Sequence, residues 1–267
     1  MKRVFLTGAS SGIGLATAHA LLARGHEVWG TSRHPDRLPQ LKNLHPVELD
    51  LRNNRQIDEA FMRSLGEAGY FDVVINNAGS GHFGAAEFLP STDIADQFQI
   101  LFFAPVRLTQ LALAEMRPRQ AGLVVNVTSL AERLPVPFMA AYNAAKAAFA
   151  AFTMSIQLEL ARSRIRVVDL QPADIRTDFN DAVIKSGHDK LYSAKIAKTW
   201  EIVERNLRNS PKPKIVARRI VKLIEQTNPP PRVTVGGLFQ ANVAPLIFRL
   251  LPQRLRIWGL KKYYRLE

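Results

Sequence analysis

The chain has 267 residues, 47% hydrophobic and 22% charged, a globular composition that excludes a mainly disordered or fibrous protein. It contains no cysteine, which excludes disulfides, a thiol nucleophile and thiolate metal sites. Lys and Arg number 36 against 23 Asp and Glu, a net charge of +13, and from Lys212 onward twelve cations face only two glutamates; such a field suits an anionic cofactor, anionic lipid or nucleic acid.

In chain order, residues 2–7 form a short apolar run ending at glycines, and Ile13–Arg24 repeats apolar residues at helical spacing up to Gly25. The cycle continues with a predicted strand at Glu27–Thr31, a short helix at Pro35–Asn43, a strand at Pro46–Leu49 and a helix at Asn53–Ala68. A strand at Phe71–Asn76, a long helix at Thr92–Met116, a strand at Leu123–Thr128, a helix at Phe138–Arg162 and a strand at Ile165–Gln171 follow. This alternation predicts the α/β class, a doubly wound parallel sheet of Rossmann type with helices on both faces. The strands are rich in Val, Ile and Leu without polar alternation, as a sheet buried on both faces requires.

After Pro172 the rhythm breaks. Asp178–Lys214 is polar and predicted as a helical, substrate-covering insert; a helix at Ile215–Gln226, the stop Pro229-Pro230-Pro231 and a strand at Arg232–Val235 close the sheet. The expected division is a Rossmann-type domain over 1–237, with the insert at 178–214, and a basic, apolar helical extension over 238–267. Only Val4, Phe5 and Leu6 separate Met1-Lys2-Arg3 from Thr7-Gly8, too little for a secretory leader. No window holds the roughly 18 apolar residues of a membrane span. The expected location is the cytoplasm, with peripheral contact at the inner membrane surface as an option for the tail.

Thr7-Gly8-Ala9-Ser10-Ser11-Gly12-Ile13-Gly14 lies where the first strand turns into the first helix, so backbone N–H groups and a helix N-terminus are delivered toward a phosphate. Gly8 supplies the turn, Gly12 the close backbone approach and Gly14 the packing of helix on sheet. Its spacing, T-G-x-x-x-G-x-G, is neither the G-x-G-x-x-G fingerprint nor a phosphate loop ending in Gly-Lys-Ser/Thr. It resembles the short-chain dehydrogenase/reductase family, and the resemblance extends over roughly residues 2–177. Asn76-Asn77-Ala78-Gly79 is similar to the family's N-N-A-G, which places Asn77, Ala78 and Gly79 beside the adenine ribose. Asp50-Leu51 resembles its adenine-contacting pair. Tyr142-Asn143-Ala144-Ala145-Lys146 matches Y-x-x-x-K, and Ser129, thirteen residues before Tyr142, stands where the family's catalytic serine does. Gln171-Pro172-Ala173-Asp174-Ile175-Arg176-Thr177 resembles P-G-x-x-x-T, which implies that Pro172, Ile175 and Thr177 meet the nicotinamide amide and pyrophosphate, although Ala173 replaces the usual glycine.

Residues four apart share a helix face, so Lys146 is expected to hold its ammonium beside the Tyr142 phenol and lower its pKa from ~10. Tyr142 then exchanges a proton with a carbonyl or alcohol oxygen while hydride moves between substrate carbon and nicotinamide, and Ser129 fixes that oxygen. The resemblance also gives Lys146 the nicotinamide ribose. At the end of the second strand, NAD-binding proteins place a carboxylate; here Ser32 and Arg33 can take a 2′-phosphate instead, which selects NADP (NADPH).

Aligning Ala104-Pro105 and Thr109 with the family's N-x-x-G-x-x-x-x-T puts Leu101 at its asparagine, which helps hold a proton-relay water. Gln97, one turn earlier, or a main-chain carbonyl near Leu101 is the expected substitute anchor, with Leu101 as an apolar wall for the substrate. Phe83, Phe88, Leu134, Pro135, Val136, Pro137, Phe138 and Phe179 are expected near the cleft, with Leu191 and Tyr192 on a lid. Such a lining favours an apolar carbonyl or secondary alcohol of lipid, steroid or retinoid type. The six histidines (His19, His26, His34, His45, His82, His188) show no ligand spacing, and no metal is expected. The tail is too apolar for a nucleic-acid arm, so no nucleic-acid partner is expected. Family resemblance implies pairing through the long helices into a homodimer or homotetramer. An NADP(H)-dependent oxidoreductase is the leading reading; a cofactor-binding sensor and a membrane-surface protein on the same scaffold are the alternatives.

Overall fold

The computed structural model describes residues 1–179, 183–186 and 190–266. The strands are β1 (Arg3–Leu6), β2 (Glu27–Ser32), β3 (Leu44–Glu48), β4 (Val73–Asn76), β5 (Gly81–Phe83), β6 (Gly122–Val127), β7 (Ile165–Pro172), β8 (Val183–Lys185) and β9 (Arg232–Val235). The helices are α1 (Gly12–Leu22), α2 (Asn54–Ala68), α3 (Ser91–Phe98), α4 (Ala104–Arg119), α5 (Ala140–Glu159), α6 (Ser193–Arg208), α7 (Lys214–Glu225), α8 (Ala244–Leu250) and α9 (Gln253–Tyr264). Seven strands pair in parallel in the order β3-β2-β1-β4-β6-β7-β9.

Neighbouring strand residues divide between two cores, because successive side chains point to opposite faces. Phe5, Val74, Val124 and Val167 pack on one face with Ile57 and Phe61 of α2 and Leu108 and Met116 of α4. Val4, Leu6, Val73, Ile75 and Val168 pack on the other with Leu21 of α1 and Val216 and Ile220 of α7. Both faces are dry, so the strands carry apolar runs rather than alternation. Asn53 caps α2 by accepting from the Gln56 N–H at 3.2 Å.

Four expected elements differ. The helix predicted over Pro35–Asn43 is a single 3₁₀ turn, Pro35–Arg37; Pro39 offers no N–H to continue it. The long helix predicted over Thr92–Met116 is interrupted by a π stretch at Gln99–Phe103. Pro105 cannot donate to the Leu101 carbonyl four residues back, so the helix widens there. A second π stretch, Phe239–Val243, likewise precedes Pro245. The insert is not wholly helical: β8 pairs in parallel with β5, a strand that the Gly79-Ser80-Gly81 sequence had concealed, and α6 follows. His188 lies outside the described residues.

Candidate active site

Strand order reverses between β1, which leads through α1 to β2, and β4 on its other side. Crevices form above the carboxyl ends of strands at such a point. A cleft of ≈ 890 Å³ opens there, and every residue expected to act in catalysis or to contact the cofactor lines it.

On the β1–β2 side, Gly8 has a φ of +68°, a conformation costly for other residues. A Cβ on Gly14 would lie 1.9 Å from the Gly8 carbonyl oxygen and 2.6 Å from Asn77 Nδ2, so only glycine lets α1 start this close to the turn. Asn77 Nδ2 donates to the Thr7 carbonyl at 2.9 Å, and the Asn77 and Ala78 N–H groups donate to Thr7 Oγ1 at 2.9 and 3.0 Å. Ser11, at the N-cap of α1, makes no side-chain capping bond, which leaves first-turn N–H groups open to a ligand oxygen. Ser10, Gly12 and Ile13 line the same turn, and Thr177 meets it from the loop after β7, its Cβ 3.4 Å from where a Gly12 side chain would begin. The turn therefore fits a pyrophosphate: backbone donors are presented and no Cβ fills the cradle.

Further along, Ser32 is buried, with its hydroxyl 3.2 Å from that of Ser10, and it accepts from the His34 N–H at 3.1 Å. Arg33 is exposed at the rim and has no ion-pair partner among the described residues. Arg37 joins it there, a second cation that sequence reasoning missed; its spacing of four from Arg33 was the available signal. Asp50 accepts from the Arg52 N–H at 3.0 Å, and Leu51 is buried beside it.

At the centre stand Ser129, just after β6, and Tyr142 and Lys146 on α5. Beneath them a buried amide network ties β4, β6, α4 and α5: Asn76 donates to Thr109 and Asn126, and Asn126 to Thr153 at 2.9 Å. Lys146 Nζ donates to the Val127 carbonyl at 2.7 Å, and burial, outweighing the attraction of Asp169, lowers its pKa to about 8. The expected lowering of Tyr142 by Lys146 is not what this arrangement gives. Burial pushes the Tyr142 phenol up, a hydrogen bond with Ser129 opposes, and the charge of Asp174 adds to the rise. Desolvation of the phenolate is the largest influence, and Lys146 is not among the groups that act on it.

Pro172 ends β7 and Ala173 and Ile175 follow it, with the Ala173 N–H donating to the Val235 carbonyl at 2.8 Å. The extra methyl of Ala173 is accommodated by a glycine opposite, since a Cβ on Gly236 would lie 2.5 Å from it.

Leu101 does not line the cleft. It is 1% exposed, packed in the core, and its Cδ2 would sit 3.2 Å from a Cβ on Gly79. Gln97 is also committed, accepting from the His82 N–H at 2.8 Å and donating to the Ser80 carbonyl at 3.0 Å to hold β5. Of the expected substrate residues, Leu134, Val136 and Phe179 line the cleft, with Phe179 edge-on to Tyr142 at 5.8 Å. Phe83 and Phe138 instead join Trp200 in a cluster that packs behind Val136, Tyr142 and Phe179, and Phe88 lies edge-on to Tyr192. The far wall comes from residues sequence reasoning left out: Val203 and Leu207 of α6, then Phe239, Ala244, Leu260, Tyr263 and Tyr264 of the tail. Among the described residues no group of His, Asp or Glu could hold a metal, and no helix is long and apolar enough to cross a membrane.

The short chain dehydrogenase family profile matches residues 2–186. A 3-ketodihydrosphingosine reductase from Bacteroides thetaiotaomicron is 31% identical over 267 residues, covering 99% of this chain and 98% of that one. VdlC of Helicobacter pylori, a probable short-chain type dehydrogenase/reductase, is 28% identical, with 96% and 98% covered. The crystal structure of a short-chain dehydrogenase from Streptomyces avermitilis superposes with a TM-score of 0.85 at 30% identity, covering 99% of each chain. With sequence shared through the glycine turn and the Tyr142 helix, and a fold shared as far as the last helix, the chain belongs to the short-chain dehydrogenase/reductase family of oxidoreductases.

Proposed function

We propose that the chain is an NADPH-dependent reductase of apolar, long-chain ketones, with Tyr142 as the proton donor. The observation that carries this reading is one cleft that joins an open glycine turn, Ser129, Tyr142 and Lys146, and an apolar wall from α6 and the tail. A nicotinamide bound there supplies hydride to the carbonyl carbon. Ser129 and Tyr142 hold the carbonyl oxygen, and Tyr142, kept neutral by burial, gives it the proton. Lys146 holds the ribose side of the site. Arg33 and Arg37, with Ser32 between turn and rim, favour a 2′-phosphate and hence NADP over NAD. The likeness over nearly the whole chain to a 3-ketodihydrosphingosine reductase supports a long-chain ketone as substrate. The test is loss of nicotinamide absorbance when octadecan-3-one is added with NADPH; no turnover of long-chain ketones or alcohols with either nucleotide would overturn the reading.

The tail extends the same proposal. Leu238, Leu246, Leu250 and Trp258 are exposed next to Arg249, Arg254 and Lys261, while Phe239 and Leu260 from the same segment line the cleft. Apolar side chains among cations fit an anionic bilayer, at roughly 1 kcal/mol per basic residue near the surface, and the cleft would then take its ketone from the membrane. Cosedimentation with phosphatidylglycerol vesicles should be strong, weaker with phosphatidylcholine and lost in high salt; absence of salt-sensitive binding removes this part. Phe103, Met154 and Leu158 are exposed on the α4–α5 side, which supports pairing into a homodimer or homotetramer. Light scattering should give at least twice the chain mass, and a monomer at micromolar concentration counts against it.

A further inference from the structure

Asp174 follows Pro172-Ala173 at the end of β7 and lines the cleft. Its Oδ2 accepts from Gln240 Nε2 at 2.7 Å. Among the described residues no Lys, Arg or His pairs with it, although the chain carries a net charge of +13. Burial raises its pKa, with the Gln240 hydrogen bond opposing. An uncompensated carboxylate beside apolar walls costs free energy that a paired one does not.

The acid is held by Gln240 of the tail. The tail is in turn joined to α6, since the Tyr263 hydroxyl accepts from Asn206 Nδ2 at 2.8 Å. The charge of Asp174 raises the pKa of Tyr142 as it does those of Tyr263 and Tyr264, and all four side chains line the same cleft. It therefore shares one cleft with the phenol of Tyr142 and with the far wall that α9 supplies. A simple latch for the tail would be satisfied by the Gln240 contact. That contact leaves Oδ1 without a donor from any described residue, on a side chain that lines the cleft.

We propose that Asp174 is an ammonium subsite, pairing with a protonated amine on the carbon next to the reacting carbonyl, so that the preferred substrates are long-chain α-amino ketones. The inference rests on the ketone-reductase reading and sharpens it. An ammonium supplies the missing cation and makes charge-assisted hydrogen bonds to the carboxylate. Anchored one bond from the carbonyl carbon, it also fixes which face of the carbonyl is presented and leaves the alkyl chain to the apolar wall. No carbonyl chemistry is added; Asp174 acts on selection and orientation.

The test compares kcat/KM for 2-aminooctadecan-3-one and octadecan-3-one in the unaltered protein, Asp174→Asn and Asp174→Glu. The unaltered protein should prefer the amino ketone by about 30-fold, the preference should collapse toward unity in Asp174→Asn, and Asp174→Glu should restore part of it. A second readout needs no turnover: binding of octadecylamine and octadecan-1-ol to the nucleotide-free protein, followed by tryptophan fluorescence, with the amine tighter only when residue 174 is acidic. Equal use of the two ketones by the unaltered protein, or an unchanged ratio in Asp174→Asn, overturns the subsite even if both ketones are reduced. Should neither ketone turn over while amine binding depends on Asp174, the reductase reading falls and the subsite stands. If Asp174→Asn does not fold, the ketone and ligand comparisons in the unaltered protein decide alone.

Discussion

Tyr142→Phe should lower ketone reduction by ~10² to 10⁴ while leaving the fold and nucleotide binding in place. The change removes one hydroxyl and keeps the ring that packs edge-on against Phe179 at 5.8 Å. Helix α5 is anchored elsewhere, through Thr153 to Asn126 and through Asn143, whose Nδ2 donates to the Val136 carbonyl at 2.9 Å. Lys146 keeps its bond to the Val127 carbonyl in the variant, since that contact does not involve the phenol. What is lost is the proton donor at the substrate oxygen, and water reaching a buried site replaces it poorly. Turnover numbers with a matched melting temperature and nucleotide Kd make the check; turnover like that of the unaltered protein would refute Tyr142 as the acid.

Arg33→Asp should weaken NADP binding by ~10² to 10³ and leave NAD equal or improved, inverting nucleotide preference. The unaltered side chain is exposed at the cleft rim with no competing carboxylate, and Asp36 does not line the cleft. A charge-assisted contact to phosphate contributes about 1.5–3 kcal/mol, and a carboxylate in its place adds repulsion. Arg37 remains in the variant and keeps part of the attraction, so the loss is bounded. Titration of both nucleotides decides it: tighter NAD than NADP in the unaltered protein, or no change on substitution, defeats the assignment.

The parallel sheet was legible because both its faces are buried: Phe5 and Val74 supply one core, Val4 and Val73 the other, and the resulting apolar runs have no other common explanation. The gathering of Gly8, Gly14, Asn77, Ser129 and Tyr142 around one cleft was legible from spacing, since each falls at the carboxyl end of a strand or one turn into the next helix. The β5–β8 pair was not, because three-residue strands are too short to show a period and Gly79-Ser80-Gly81 reads as a turn. Spacing four apart put Lys146 near Tyr142 but carried no information about burial, which reverses the expected shift. Leu101 looked like a gap in the machinery because alignment reports an absent amide, not the Gly79 surface that a leucine fills. The tail gave no local sign of where it folds back, and Asp174 was hidden inside a motif read for its cofactor contacts.

The cleft is assembled from opposite ends of the chain. Gly8 to Arg33 form its nucleotide end, whereas Phe239 to Tyr264 complete its substrate end. During synthesis, when N-terminal segments order first, the β1–α1–β2 unit can gather its turn long before the final wall exists. A chain at that stage has the glycine turn in place and the far side of the cleft still open to solvent. Enclosure of the cleft therefore waits on α9, so the glycine turn can order well before the space beside Tyr142 is walled off.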